Sequence, residues 1–108
     1  MKEVKNIAVL GAGAMGAPIS ALAAEAGYKV IVRDIENKFL DKGRQLVTES
    51  WDKRVKRGEL TAEAKNELMS RLSFTLDIKE AVKNADFVIE AIPEIIDLKK
   101  KVLKEVSE

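Results

Sequence analysis

The sequence predicts an α/β domain built on a doubly wound parallel sheet, and three observations predict it. Val4 to Leu10 (VKNIAVL) is a short apolar run rich in β-branched residues, the pattern of a parallel strand buried on both faces. It runs directly into Gly11-Ala12-Gly13-Ala14-Met15-Gly16, which opens a helical pattern closed by Gly27. A second apolar run, Tyr28 to Arg33 (YKVIVR), ends at the acidic residue Asp34.

Strand, glycine turn, helix, strand and acid follow in the order of the dinucleotide-binding fingerprint, and the acid stands about twenty residues beyond the turn, as that motif requires. Each part has a physical task. Gly11 permits the tight turn out of the strand. Gly13 carries no side chain, so a pyrophosphate can approach the backbone. Gly16 lets the helix lie close on the sheet. The helix N-terminus aims unpaired N–H groups and its positive dipole end at the phosphates. Asp34 can accept hydrogen bonds from the adenosine ribose and would repel a 2′-phosphate, so NAD is expected in preference to NADP. Arg33 is its neighbour, and alternation along the strand points its side chain the other way.

The elements follow in order. The first helix is expected from about Ala14 to Ala26, with Ile19, Leu22, Ala23 and Ala26 as its apolar stripe. Pro18 is expected to make the start of this helix irregular. A long helix is predicted from Asn37 to about Lys56, with Leu40, Gly43, Val47, Trp51 and Val55 at helical spacing and Gly58 as its cap. Thr61 is an N-cap for a second helix over Ala62 to Ser70. These two form a helical hairpin between strands two and three. The crossover is several times the dozen residues that a parallel connection needs, so the excess is expected to project from the sheet. Ser73 to Leu76 is a short third strand. Asp77 with Glu80 caps a brief helix through Asn84. Phe87 to Ile92 (FVIEAI) is the fourth strand, and Pro93 starts a closing helix with Ile95, Leu98, Val102 and Val106 as its stripe. The whole chain reads as one incomplete Rossmann-type domain of about four strands in the order 3-2-1-4.

Composition bounds the function. The chain has 108 residues, 46% hydrophobic and 34% charged, which suits one globular domain with its own core. The net charge of +1, without a basic patch, gives no sign of nucleic acid. There is no cysteine, so no disulfide, thiolate nucleophile or cysteine-held metal is expected, and no metal site is proposed. The N-terminus leads into a strand and reads as no signal peptide. No apolar run is long enough to span a membrane, and a cytoplasmic setting is expected. Histidine is absent, so no residue of this chain can act as an imidazole base.

The motif residues carry a closer resemblance. IAVLGAGAMGAPIS, then YKVIVRDI, then the hairpin ending RGELT, then ADFVIEAIPE together resemble the NAD-binding domain of 3-hydroxyacyl-CoA dehydrogenases. The resemblance extends over essentially the whole chain. It implies that Gly11 to Gly16 (Gly11, Ala12, Gly13, Ala14, Met15, Gly16) and Asp34 hold the adenosine half of NAD. It implies that Ala91, Ile92 and Pro93 line the pocket at the end of the fourth strand, and that Glu94 and Lys99 contact the nicotinamide side. Ser50 and Arg57 match hairpin positions that touch coenzyme A. They lie two helical turns apart, on one face. Arg57 stands where lysine is usual and keeps the charge but not its geometry.

The resemblance also implies what lies outside these residues. In the family, the catalytic histidine, its glutamate partner and the substrate domain come later in the chain, so no catalytic residue is assigned here. The expected function is the cofactor-binding part of a fatty-acid-metabolising oxidoreductase that moves hydride between NAD and a 3-hydroxyacyl-CoA, inactive by itself. The alternatives are a non-catalytic nucleotide-binding module acting through a partner, and the cofactor half of another β-hydroxyacid dehydrogenase. The long hairpin argues against the last. The fourth strand, an edge in the order 3-2-1-4, is apolar and would invite a second copy of the chain to form a homodimer, unless a second chain supplies the rest of the enzyme.

Overall fold

The structure, a computed structural model, describes residues 4–11, 16–91 and 96–100. Its elements in chain order are β1 (Asn6–Leu10), α1 (Gly16–Glu25), β2 (Lys29–Arg33), α2 (Asn37–Lys56), α3 (Ala62–Arg71), β3 (Leu72–Thr75), α4 (Ile78–Lys83), β4 (Phe87–Ala91) and β5 (Ile96–Lys100). The strands form one sheet in the order β3-β2-β1-β4-β5. The first four are parallel, with Ile7 opposite Val30 on one side and Phe87 on the other, and Val30 opposite Leu72. The expected order 3-2-1-4 is therefore present.

β5 is a correction. Residues 96–100 are a strand antiparallel to β4, with Ala91 opposite Ile96 and Phe87 opposite Lys100. A closing helix was expected across this segment. The ladder gives partners to the backbone groups that β4 would otherwise leave bare. β4 is consequently an interior strand, and the expected dimer through a bare fourth-strand edge loses its premise. Residues Ile92 to Ile95 and Val102 to Val106, which completed that expectation, lie outside the described residues.

The helices segregate as right-handed crossovers demand. α1 lies on β1 and β2, α2 packs mainly on α1, and α3 reaches β3. The β3-to-β4 connection runs back across the sheet, which puts α4 on the opposite face, against β1, β2 and β3. The main core joins Ile7, Val9, Val30, Val32 and Leu72 of the sheet to the helices above it. Those sheet positions alternate along each strand, so the core takes one face of the pleat.

α1 buries Gly16, Ala17, Ser20, Ala21 and Ala24. The expected stripe is displaced: Leu22 is 67% exposed, while Ile19 and Ala23 only flank the core. The cause is proximity. A helix lying close on a strand can face it only with small side chains, and the bulky residues rotate outward. Pro18 is the third residue of α1 as described, and the preceding residues Ala14 and Met15, where the expected irregular start falls, lie outside the described residues.

α2 is as expected at both ends and buries Leu40, Gly43, Val47 and Trp51. Its C-terminus closes with Gly58 at φ +76. There the Gly58 N–H donates to Val55 O at 3.0 Å and the Glu59 N–H to Arg54 O at 2.9 Å, the two bonds of a Schellman cap. Thr61 caps α3 by accepting from the Ala64 N–H at 3.0 Å. Asp77 caps α4 by accepting from the Lys79 N–H at 2.9 Å. β3 begins at Leu72, one residue earlier than expected, and Leu72 is buried in the core.

The hairpin is tied to α1 by Arg71 Nη1 of α3, which donates to the Ala24 carbonyl at 2.9 Å, and by a contact at Trp51. Trp51 is fully buried, and its indole N–H donates to Glu25 Oε2 at 2.9 Å. The other carboxylate oxygen accepts from Arg54 Nη1 at 2.8 Å. Trp51→Ala is expected to destabilise the domain by about 3–5 kcal/mol, through lost burial and a cavity. Glu25→Ala is expected to cost about 1–3 kcal/mol, because it leaves the indole N–H without its partner. Urea unfolding of both variants checks the ranking, and an unchanged midpoint for Trp51→Ala would show that the hairpin does not dock this way.

Candidate functional site

The carboxyl ends of β1, β2 and β4 meet at one edge of the sheet. β1 leads into α1 on one face and the neighbouring β4 arrives from a crossover on the other. This is the switch point at which open α/β sheets bind ligands. Two glycines shape it. Gly11 follows β1 at φ +112, where side chains are strained, and a Cβ there would lie 2.5 Å from the Ala91 carbonyl oxygen of β4. Gly16 opens α1, and a Cβ there would lie 1.5 Å from the Gly11 carbonyl oxygen and 3.5 Å from Val9 Cγ1. The helix start, the strand exit and the end of β4 thus approach so closely that the backbone alone fills the space.

Gly11 also extends the β1–β2 ladder, its N–H donating to Arg33 O at 2.7 Å. Next to it, Asp34 leaves β2. The Asp34 N–H donates to Thr75 O at 3.3 Å, tying this corner to β3. Its carboxylate Oδ1 accepts from the Ile35 N–H at 2.7 Å, which fixes the side chain at the strand end. Gly11, Gly16, Asp34 and Ala91 are therefore brought together. Ala12, Gly13, Ala14 and Met15 lie outside the described residues, as do Ile92, Pro93 and Glu94.

The remaining candidates divide. Ser50 is exposed on α2. Arg57 is its C-cap residue in helical conformation, so their common face is kept. Arg57 Nη1 pairs with Glu59 Oε2 at 3.6 Å and stays largely exposed. Lys99 is not at the carboxyl end: it stands in β5 in register with Val88, three positions along β4 from Ala91 and about 10 Å away by strand rise. Among the described residues, no group of three or more His, Cys, Asp or Glu could hold a metal ion, and no helix is long and apolar enough to cross a membrane.

Two features went unread in the sequence. Ile35, Leu76 and Ile78 are 65%, 43% and 44% exposed, and they border the Asp34 corner as an apolar rim. The readable signal is Leu76 directly after β3, Ile35 one residue further on after β2 and Ile78 at the start of α4, where polar loop residues are usual. The other is the Nε of Arg33, which donates to Leu76 O at 3.1 Å. A separate cleft of about 280 Å³, lined by Asn6, Lys29, Arg71, Ser73, Glu80 and Asn84 among others, lies at the opposite, amino ends of the strands. It has no part in the glycine site.

Comparison with known proteins agrees with this geometry. The family model described as "3-hydroxyacyl-CoA dehydrogenase, NAD binding domain" matches residues 6–108. The chain is 37% identical to 3-hydroxyadipyl-CoA dehydrogenase of Escherichia coli, over 100% of its own length and 22% of that protein. It is 35% identical to a probable 3-hydroxybutyryl-CoA dehydrogenase of Deinococcus radiodurans, over 93% of its length and 35% of that protein. The crystal structure of (S)-3-hydroxybutyryl-CoA dehydrogenase from Ralstonia eutropha superposes with a TM-score of 0.81 at 33% identity, covering 96% of this chain and 36% of that one. The chain spans well under half the length of these relatives.

Gly16→Ala is expected to cost at least about 1–3 kcal/mol, because the added methyl must displace the Gly11 carbonyl. It is also expected to weaken NADH binding by more than about tenfold through the moved turn. Urea unfolding and NADH titration check this together. A variant with unaltered stability and affinity would show that the turn is not packed as described.

Proposed function

Because this chain belongs to the family of 3-hydroxyacyl-CoA dehydrogenase NAD-binding domains, we propose that it seats NAD for hydride transfer to and from a 3-hydroxyacyl-CoA. The observation that carries the reading is the cradle formed by Gly11 and Gly16, in which a single added Cβ would collide with backbone. NAD is the cofactor of the domain. The residues fit it: Gly11 and Gly16 let β1, α1 and β4 approach closely, which brings the start of α1 to the switch point where a pyrophosphate would sit. In this reading Ala12, Gly13, Ala14 and Met15 complete the turn, and Asp34 accepts from the adenosine ribose hydroxyls. Ala91, Ile92, Pro93 and Glu94 border the nicotinamide side. Lys99, by its place in β5, is not part of the proposal.

When bound, NAD supplies the hydride acceptor. This chain's residues bind and orient it, and they exclude the wrong adenosine. None of them is an imidazole, since the sequence holds no histidine, and in this reading the substrate's hydroxyl proton goes to a base outside these residues. That proton needs a base from further residues of a longer chain or from a second polypeptide. The coenzyme A contact is proposed for Ser50 and Arg57, on a hairpin face that the Trp51–Glu25 bond holds in place. The absence of histidine also favours a second reading, a non-catalytic NAD-binding module that acts through a partner.

The relatives' names include peroxisomal and glyoxysomal proteins of fatty acid β-oxidation. They support a role in fatty acid metabolism. A cytoplasmic setting is part of the same reading, beside relatives named as peroxisomal and glyoxysomal. A homodimer is part of the proposal through β5, the sheet margin among the described residues, whose outer backbone groups can pair with a second copy.

NADH is expected to bind more tightly than NADPH, and Asp34→Ala to narrow the gap by removing the carboxylate that repels a 2′-phosphate. Calorimetric titration with both cofactors measures this, and equal affinities in the unmodified protein would count against the reading. Light scattering at low concentration is expected to report a dimer. A monodisperse monomer of 11.9 kDa would remove self-association from it.

A further inference from the structure

We propose that Arg33 is a specificity-determining residue of the adenosine end, a cation held by the loop after β3 that can take a 2′-phosphate once the Asp34 carboxylate is removed. The proposal rests on the NAD reading above and extends it.

Three observations carry it. Arg33 is the last residue of β2, directly before Asp34, in the strand that leads to the ribose position. Strand alternation turns its side chain to the opposite face from Asp34, but Nε donates to the Leu76 carbonyl at 3.1 Å, which holds the guanidinium at the carboxyl end of β3, at the same corner of the sheet. Leu76 follows Thr75, whose carbonyl accepts from the Asp34 N–H. One short loop therefore holds both the arginine side chain and the aspartate backbone at the same corner. Finally, the Nε bond leaves the two Nη groups, which have no hydrogen-bond or ion-pair partner among the described residues. A guanidinium is planar and always charged, and its paired N–H groups match a phosphate. An arginine near the ribose is the usual means of accepting a 2′-phosphate, whereas an aspartate accepts the free hydroxyls.

The corner thus contains both determinants. Asp34 repels the 2′-phosphate and Arg33 attracts it. Arg33 lowers the penalty that Asp34 imposes on NADPH, and Asp34 is the barrier that keeps NAD preferred. Removing the acid should reverse the preference, beyond narrowing it, and the reversal should require the arginine.

The test is titration of NADH and NADPH against the unmodified protein, Asp34→Ser, Arg33→Gln and the double variant. Glutamine keeps an N–H donor for Leu76 but no charge. Asp34→Ser is expected to bind NADPH at least as tightly as NADH. Adding Arg33→Gln is expected to weaken NADPH by about tenfold while NADH stays within about twofold. A second measurement covers poor folding of the Asp34 variants. In the Asp34-containing protein, Arg33→Gln should weaken competition by 2′,5′-ADP against NADH by about tenfold, and leave competition by 5′-AMP unchanged. NADPH and 2′,5′-ADP affinities that ignore Arg33, in proteins that still bind NADH, overturn the proposal alone. Failure of the unmodified protein to bind NADH overturns the NAD reading and the proposal together.

Discussion

The close approach of α1 to the exit of β1 is the constraint on which the rest depends. At Gly16 a side chain would begin 1.5 Å from the Gly11 carbonyl oxygen, and at Gly11 it would begin 2.5 Å from the Ala91 carbonyl oxygen. No rotamer relieves a contact made by Cβ itself. Three backbone segments from β1, α1 and β4 therefore share a volume that normally holds side chains. The helix N-terminus is drawn to the switch point of the sheet, the place where helix N-termini receive phosphates. The same nearness propagates along α1. Only Ala17, Ser20, Ala21 and Ala24 can face the sheet, and Ser20 satisfies its buried hydroxyl by donating to the Gly16 carbonyl at 2.7 Å.

Around that contact the domain is built in tiers. Asp86 joins the starts of β1 and β4 by accepting from the Lys5 and Asn6 N–H groups at 2.8 and 3.0 Å. Asp34 and Thr75 join β2 to β3 at the other end. The hairpin of α2 and α3 joins the same core through Leu40, Val47, Trp51 and Leu68, mainly against α1 and at β3. The binding edge belongs to the sheet, and the surface proposed for coenzyme A belongs to the hairpin.

Most of the binding edge was legible in the sequence because it is dictated locally. A strand of β-branched residues, a turn that only glycine can make and an acid at the next strand end each leave a mark within a few residues. α2 was legible for a related reason: Leu40, Val47 and Trp51 keep one period over a long helix, and Gly58 marks its end. The buried face of α1 was not, because its bulky residues, Ile19 and Leu22, suggested a stripe that close packing forbids. Residues 96–100 (IDLKK) failed differently. Leu98 fits a helical period with Ile95 and an alternating period with Ile96, and so short a run cannot decide between them. The open edge of β4, a tertiary feature, decided for the strand. The Arg33–Leu76 bond joins residues far apart in the chain and leaves no local pattern to read.

NAD is expected at the glycine-lined carboxyl edge of the sheet, and not in the cleft at its amino edge. Backbone amide NMR of the isotopically labelled protein during NADH titration separates the two places. Saturable shifts are expected at Gly11, Gly16, Ala17, Asp34 and Ile35, with Lys29, Ser73 and Asn84 unmoved. Shifts concentrated at Lys29, Ser73 and Asn84, with the Gly11 and Gly16 signals unchanged at saturation, would contradict it.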